Sequence, residues 1–267
     1  MKKQKAELQV VGNTPLNIKH NILELRSSTP LPEMAPGQFV EIKVEGSEST
    51  YLRRPFSIHR VDYLKNTIHL LIKVVGAGTK NLSQLKTGES VDILFPLGKG
   101  FSITKNEKVL LVGGGCGVAP LYFLAEQLYK NDNNVNILIG GRSADDILLH
   151  DQYKAYGDVY VSTEDGSYGE KGMVTAHSLF TSQTLFSKIY CCGPDGMMRA
   201  VAHYAEKHKI PCEVSLENTM ACGIGACLCC VVESVQGNVC VCTEGPVFDS
   251  STLKGWTVEN EIGCSLI

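Results

Sequence analysis

The strongest constraint on this chain is a spacing of cysteines. Cys222, Cys227 and Cys230 are separated by four and two residues, and Cys242 follows eleven intervening residues later. The first three lie in "MACGIGACLCC", residues 220–230, and the fourth opens "CTEGPVF", residues 242–248. C-x4-C-x2-C with a distant fourth cysteine is the plant-type [2Fe-2S] spacing. A loop around an anionic cluster must aim several backbone N–H groups at sulfur, and Gly223, Gly225, Ala221 and Ala226 let the backbone come close enough. Structural zinc sites instead show paired CxxC knuckles, and inert buried thiols do not gather in this way. Cys222, Cys227, Cys230 and Cys242 are therefore the expected ligands. Cys229 and Cys240 are extra thiols beside two of them, and either is an alternative ligand; the x2 interval and the EGPVF context favour Cys230 and Cys242.

Eleven cysteines are an odd number, so they cannot all pair within one chain, and clustered thiols point to metal ligation in a reducing cytoplasm. No apolar segment of signal-peptide or membrane-span length is expected from "MKKQKAELQV" or from later runs. With 43% hydrophobic residues, 20% charged residues and a net charge of -3, the composition is that of a globular protein. That mild acidity disfavours a nucleic-acid partner.

At 267 residues there is room for about two ordinary domains. Residues 1–104 read as strands and turns: "AELQVVGNTPL", "HNILELRSS", "GQFVEIKVEG", "TIHLLIKVVG" and "ESVDILFPLG" imply an antiparallel β-barrel. In 105–212 the rhythm becomes strand, helix, strand. "KVLLVGGG", "NVNILIGG", "DVYVST" and "SKIYCCG" alternate with helical patterns in "APLYFLAEQLYK", "MVTAHSLF" and "DGMMRAVAHYAEKHK", which predicts a doubly wound, mostly parallel sheet. Residues 213–267 read as a small C-terminal module holding the clustered thiols.

Two phosphate-binding signals precede that module. Arg54-Pro55-Phe56-Ser57 in "LRRPFSI" offers a guanidinium fork for a pyrophosphate, an aromatic face for an isoalloxazine and a hydroxyl for a ring nitrogen. Alone it also reads as an edge strand with a proline, but Gly76 and Gly78 before a helix expected near Thr79 add a second anion site, so FAD is expected. "PLGKGF", residues 96–101, would close the barrel near the flavin. The loop GGGxGxAP, with Gly113, Gly114, Gly115, Gly117 and Pro120, follows a strand and opens a helix, the position at which doubly wound sheets bind dinucleotides. Arg142 would favour NADPH and Asp145 or Asp146 NADH, so the residues leave the coenzyme open. Cys192, before Gly193-Pro194, is a candidate to approach a nicotinamide, while Cys116, Cys191, Cys212 and Cys264 read as inert buried thiols, and Met197 and Met198 as core filler.

Barrel with RPFS, nucleotide domain with GGGxGxAP and CGP, then a cluster loop: this order resembles the ferredoxin reductase superfamily over the whole chain. "MACGIGACLCC", "VCTEGPVF" and "EDGSYGEKGMVT", residues 164–175, are similar to the electron-transfer subunits of class 1B dihydroorotate dehydrogenases. The resemblance implies that Arg54, Pro55, Phe56, Ser57, Leu71, Ile72, Lys73, Gly78 and Thr79 contact FAD and that the four cysteines hold the cluster. Gly113, Gly115 and Gly117 would lie against NAD, the coenzyme it also implies. It further implies an oxidoreductase subunit that does not itself oxidise dihydroorotate, joined to an FMN-containing catalytic subunit in a heterotetramer of two of each, with no membrane partner. The rival readings are a reductase subunit feeding an oxygenase or a sulfur-reducing complex, and a zinc-stabilised binding module without enzymatic activity. The loop from Ala221 to Leu228 is expected near the surface, where a partner protein can reach the cluster.

Overall fold

The computed structural model describes residues 3–47, 49–182 and 185–256; Cys264 lies outside them. The chain begins with β1 (Gln4–Asn17), β2 (His20–Arg26), β3 (Phe39–Ile42), β4 (Arg54–Asp62) and β5 (Thr67–Lys73), followed by the helix α1 (Ala77–Ser83) and by β6 (Ser90–Leu97). These six strands close into an antiparallel barrel in the order β1-β2-β5-β4-β3-β6. Alternation explains the closure. Leu8, Val10, Leu23, Leu25, Val40, Ile42, Ile58, Leu70, Ile72 and Ile93 point inward and are fully buried, and a closed sheet leaves no edge to solvate.

Strand β4 changes partner along its length. Arg54–Ser57 pair with Ile42–Phe39 of β3, whereas the ladder to β5 runs only from Ile58 opposite Leu70 to Asp62 opposite Thr67. The end of β5 from Leu71 to Lys73 keeps its pairing to β2 and is not laddered to β4. The two strand ends therefore diverge into a slot between Arg54–Ser57 and Leu71–Lys73.

The second unit contains β7 (Lys108–Gly114), α2 (Val118–Lys130), β8 (Asn134–Gly141), a turn of helix α3 (His150–Tyr153), β9 (Asp158–Thr163), β10 (Glu170–Lys171), α4 (Ser178–Thr181), β11 (Lys188–Cys192) and α5 (Asp195–Lys207). Its last parallel strand is β12 (Cys212–Ser215). The doubly wound parallel sheet is present, with Pro120 in the first turn of α2. The helix expected over 173–180 is not. Val174–Ala176 make a tight 3-10 turn, and His177, in an extended conformation, caps the single turn α4 by accepting from the Leu179 N–H. A capping side chain starts a new helix and cannot continue an old one.

Beyond β12 lie the hairpin β13 (Val231–Ser234) and β14 (Gly237–Cys240), the single turn α6 (Val241–Glu244) and β15 (Val247–Asp249). β12 crosses the expected boundary at 212/213, and β15 pairs antiparallel with it, so the sheet runs β10-β9-β8-β7-β11-β12-β15. The cysteine-rich segment is thus tied to the sheet at both ends. It also shares a core with the barrel, where Phe39 and Leu97 pack with Met220, Cys230, Val241 and Cys242. No helix among the described residues is long and apolar enough to cross a membrane.

Barrel and sheet are clamped through β4. His59 is buried, its Nδ1 lies 3.0 Å from the Ala119 carbonyl of α2, and its ring stacks on Tyr122 at 4.6 Å. The neutral imidazole donates through Nδ1. Burial holds the ring at about 4, against an ordinary 6.5. Between those values the folded chain binds fewer protons than the unfolded one, so the clamp is whole above pH 6.5 and weakens as pH falls toward 4. Thermal melts of the FAD-loaded chain should lose stability over that window, by up to about 3 kcal/mol; His59→Gln should be weaker at pH 7 yet flatter across it. An unchanged slope in the variant would assign the acid sensitivity to other groups.

Candidate functional site

The cysteine loop takes its path from three left-handed residues, Gly223 (φ 66), Gly225 (φ 86) and Leu228 (φ 58). At Gly223 no side chain fits, because a Cβ would lie 2.6 Å from Cγ of Glu41 on the outer face of the barrel. The loop brings its thiols together, Cys222 beside Cys227, and Cys230 beside Cys242 and also Cys240. Backbone N–H groups point at sulfur, Ala226 to Cys222 Sγ at 3.3 Å and Cys242 to Cys230 Sγ at 3.4 Å. Burial works to raise the Cys222 thiol, but the N–H groups of Ile224, Cys227 and Ala226 and the Cys227 thiol outweigh it and bring Cys222 down to about 6. Burial and the Cys230 thiol push Cys242 up to about 12. Among the described residues no three His, Cys, Asp or Glu side chains converge on a single metal ion. Two thiol pairs with amide donors aimed at sulfur suit two irons better than one tetrahedral zinc. Cys230 and Cys242 are buried, Cys227 and Cys229 exposed and Cys240 half-buried. Ile224 and Leu228 stand 48% and 64% exposed, so the loop's outer face is at the surface as expected while Gly223 leans on the barrel.

In the slot, Arg54 is half-buried, its guanidinium reaches only the Leu52 and Arg53 carbonyls, each at 3.4 Å, and it has no ion pair among the described residues. Its neighbour Arg53 is committed to Asp92 at 2.9 Å. Phe56 and Ser57 are half-buried beside it. Helix α1 begins at Ala77, two residues before Thr79; the Thr79 hydroxyl accepts from the Val75 and Gly76 N–H groups, and a Cβ on Gly78 would press against Thr50 at 3.0 Å.

The glycine loop borders a cleft of about 900 Å³ whose walls include Lys73, Gly115, Gly117, Arg142, Pro194 and Glu217. Gly113 is inside the sheet, where a Cβ would meet Val118 at 2.9 Å, and one on Gly117 would overlap the Cys192 carbonyl. Both glycines therefore let α2 start close to the sheet. Cys192 corrects the sequence reading: it is 1% exposed, packed in the core, its thiol driven well above the usual range by burial, and it does not line the cleft. The thiol that does is Cys116, raised to about 11 by burial, although it reads from the sequence as inert. Arg142 is held by Asp146, which accepts from its backbone N–H at 3.2 Å and from Nε at 3.4 Å.

Two carboxyls escaped the sequence reading. Glu217 opens onto the cleft, and desolvation there raises it, with Lys73 opposing. Its position just past the carboxyl end of β12 is the signal that marks ligand sites in parallel sheets. Glu41 is fully buried, with both carboxyl oxygens unpartnered and its titration pushed up to about 7 by burial. The alternation of "FVEI" sets Glu41 on the face opposite Val40 and Ile42, under the cysteine loop and opposite Pro55 in register.

Comparison with known proteins agrees with this geometry. Residues 7–101 match the oxidoreductase FAD-binding domain, 111–203 the oxidoreductase NAD-binding domain, and 217–254 the iron-sulfur cluster binding domain of dihydroorotate dehydrogenase B. The chain is 39% identical over 257 residues to the dihydroorotate dehydrogenase B (NAD(+)) electron transfer subunit of Shouchella clausii, covering 93% of this chain and 97% of that one. The same-named subunit of Fusobacterium nucleatum is 41% identical over 227 residues, or 82% and 86% of the two chains. Among solved structures, an NADH-dependent reduced ferredoxin-NADP oxidoreductase superposes with a TM-score of 0.83 at 29% identity, covering 93% of this chain and 90% of that one. The ferredoxin reductase of carbazole 1,9a-dioxygenase shares the fold, with a TM-score of 0.67 at 22% identity over 79% and 68%. The chain belongs to the family of dihydroorotate dehydrogenase B (NAD(+)) electron transfer subunits.

Proposed function

We propose that this chain carries electrons from the FMN-containing catalytic subunit of a dihydroorotate dehydrogenase to NAD⁺ in pyrimidine synthesis, within a cytoplasmic heterotetramer of two of each subunit. The observation that carries this reading is the adjacency of the two paired-thiol sets to the flavin slot: Gly223 rests on Glu41, whose register partner is Pro55. FAD, when bound, exchanges hydride with nicotinamide and single electrons with a [2Fe-2S] cluster.

The residues divide that work. Arg54, with no ion pair among the described residues, is the fork for the FAD pyrophosphate, and Gly78 and Thr79 at the start of α1 add to the phosphate site. Phe56 and Pro55 lie along the ring, Ser57 supplies a hydroxyl, and the Leu71–Lys73 edge closes the slot on the other side. Gly115 and Gly117 receive the NAD diphosphate at the start of α2, and Gly113 permits the close helix. Asp146 neutralises Arg142, which supports a 2′-hydroxyl over a 2′-phosphate at that wall. Cys222, Cys227, Cys230 and Cys242 hold the cluster, and exposed Ile224 and Leu228 face the partner subunit. In this division residues 1–104 form the FAD unit, 105–212 most of the NAD sheet, and 213–267 the cluster region that returns to it.

The isolated, FAD-loaded chain should oxidise NADH with an artificial acceptor and form no orotate from dihydroorotate until a catalytic subunit is added; orotate from this chain alone would overturn the assignment. Arg54→Ala should weaken FAD binding roughly tenfold to a hundredfold with iron content unchanged, and full FAD retention would relocate the pyrophosphate contact. Cys222→Ser, Cys227→Ser and Cys230→Ser should each lose iron and acid-labile sulfide, whereas Cys229→Ser should keep both.

A further inference from the structure

A fifth thiol stands at the cluster loop. Cys230 emerges from the start of β13, and its carbonyl accepts from the Val241 N–H at 3.0 Å while its sulfur accepts from the Cys242 N–H at 3.4 Å. Cys240, the last residue of β14, is paired in register with Val231, the residue after Cys230. Its backbone is extended, with φ -86 and ψ 120, before the chain turns into α6. Cys240 and Cys242 thus flank the same neighbour from the two sides of Val241, and both pack in the small core that holds Cys230. The two differ in access. Cys242 is 1% exposed, whereas Cys240 is half-buried, forms no disulfide, and has its thiol in hydrogen-bonding reach of the Cys230 thiol. Three of the expected ligand thiols, Cys230, Cys222 and Cys227, lie within electrostatic reach of it.

We propose that Cys240 is a reserve ligand of the [2Fe-2S] site, able to replace Cys242 on the iron that Cys230 also binds. The proposal rests on the reading that the paired thiols hold such a cluster. Cys242 is the resident ligand, because it is the buried one and its own N–H already points at the Cys230 sulfur. When Cys242 offers no thiolate, the Cys240 thiol gives its proton to solvent and its sulfur forms the fourth protein bond to iron. Four thiolates then still surround the cluster, so its net charge and electron count do not change. The shift is a short one along the chain, since the replacing sulfur comes from two residues earlier on a strand end that turns at that point. What changes is the environment: a sulfur in contact with solvent takes the place of one in the core, and exposure and hydrogen bonding to sulfur set cluster potential and spectrum.

The test uses alanine, which supplies no replacement ligand, in the full-length chain reconstituted with iron and sulfide. Cys242→Ala should retain iron and sulfide at close to the wild-type ratio, with altered EPR g-values and visible circular dichroism. Cys240→Ala should keep the wild-type content and spectra, and Cys240→Ala with Cys242→Ala should lose the cluster. Iodoacetamide followed by peptide mass mapping should alkylate Cys240 in the wild-type holoprotein and leave it protected in Cys242→Ala. FAD content measured on every sample shows that the barrel has folded, so loss of iron with FAD retained is a ligand effect. If Cys242→Ala loses its cluster as fully as the double variant while keeping FAD, Cys240 is no reserve ligand. If Cys240→Ala loses the cluster and Cys242→Ala keeps the wild-type spectrum, Cys240 is the resident ligand and the proposal falls. A wild-type chain that binds zinc without sulfide would overturn the cluster reading itself, a result that no pattern among the variants can imitate.

Discussion

The structure depends on one strand that changes partner. Strand β4 gives its first four residues to β3 and the rest to β5, and each half fixes a different neighbour. Where it leaves β5, the barrel opens a slot without losing closure, since β3 and β6 still complete the sheet. Where it returns to β5, His59 reaches out to Ala119 and Tyr122 and fixes the nucleotide sheet against the barrel. A backbone divergence of this kind exposes N–H and C=O groups that a continuous ladder would have consumed, which is what a bound planar ring with polar edges requires.

Two acids flank the site, Glu41 buried and Glu217 exposed at the cleft. Glu41 lies beneath the cysteine loop with neither oxygen paired, although Arg53 is close enough to oppose its upward shift. Arg53 is instead bonded to Asp92, and toward Glu41 it reaches only the backbone carbonyl, at 3.4 Å. The neutral carboxyl is therefore the less costly form below about pH 7. Glu217 lines the cleft, where Lys73 opposes its upward shift. The cysteine loop runs between the two acids, from Glu217 past Cys222 to the Gly223 contact with Glu41.

Much of this was legible in the sequence because the signals were local. Cysteine spacing needs only loop geometry, and the barrel follows from alternation, as Leu23 and Leu25 or Leu70 and Ile72 illustrate. The glycine loop was equally plain, since Gly113 and Gly117 each leave no space for a Cβ. What escaped was set by tertiary contact. The pattern "MVTAHSLF" is helical in period, yet His177 is 4% exposed and bonded to the Leu179 N–H, which divides it into two turns. Cys192 occupies the expected end of a sheet strand, but its side chain points into the core while Cys116 takes the cleft wall, a choice of face that strand position alone does not reveal. The return of Val247–Asp249 to β12 was likewise invisible, because three residues carry too little pattern to name a partner.

The cluster region cannot stand as a domain of its own. Between β12 and β15 its regular structure is a hairpin of two four-residue strands and a single helical turn, and its core is completed by Phe39 and Leu97 of the barrel. A segment so short lacks the apolar area to order itself; bonds from iron to its thiols and contact with the barrel must supply what the segment lacks, so cluster loading and docking reinforce each other. The consequence is geometric. Because Gly223 packs too closely on Glu41 to admit a Cβ, and Glu41 is laddered to Pro55, one side-chain contact and one register pair link the thiol loop to the flavin slot. Electron passage over such a gap depends on a constant distance, and here that distance is held by a strand of the barrel rather than by a flexible hinge.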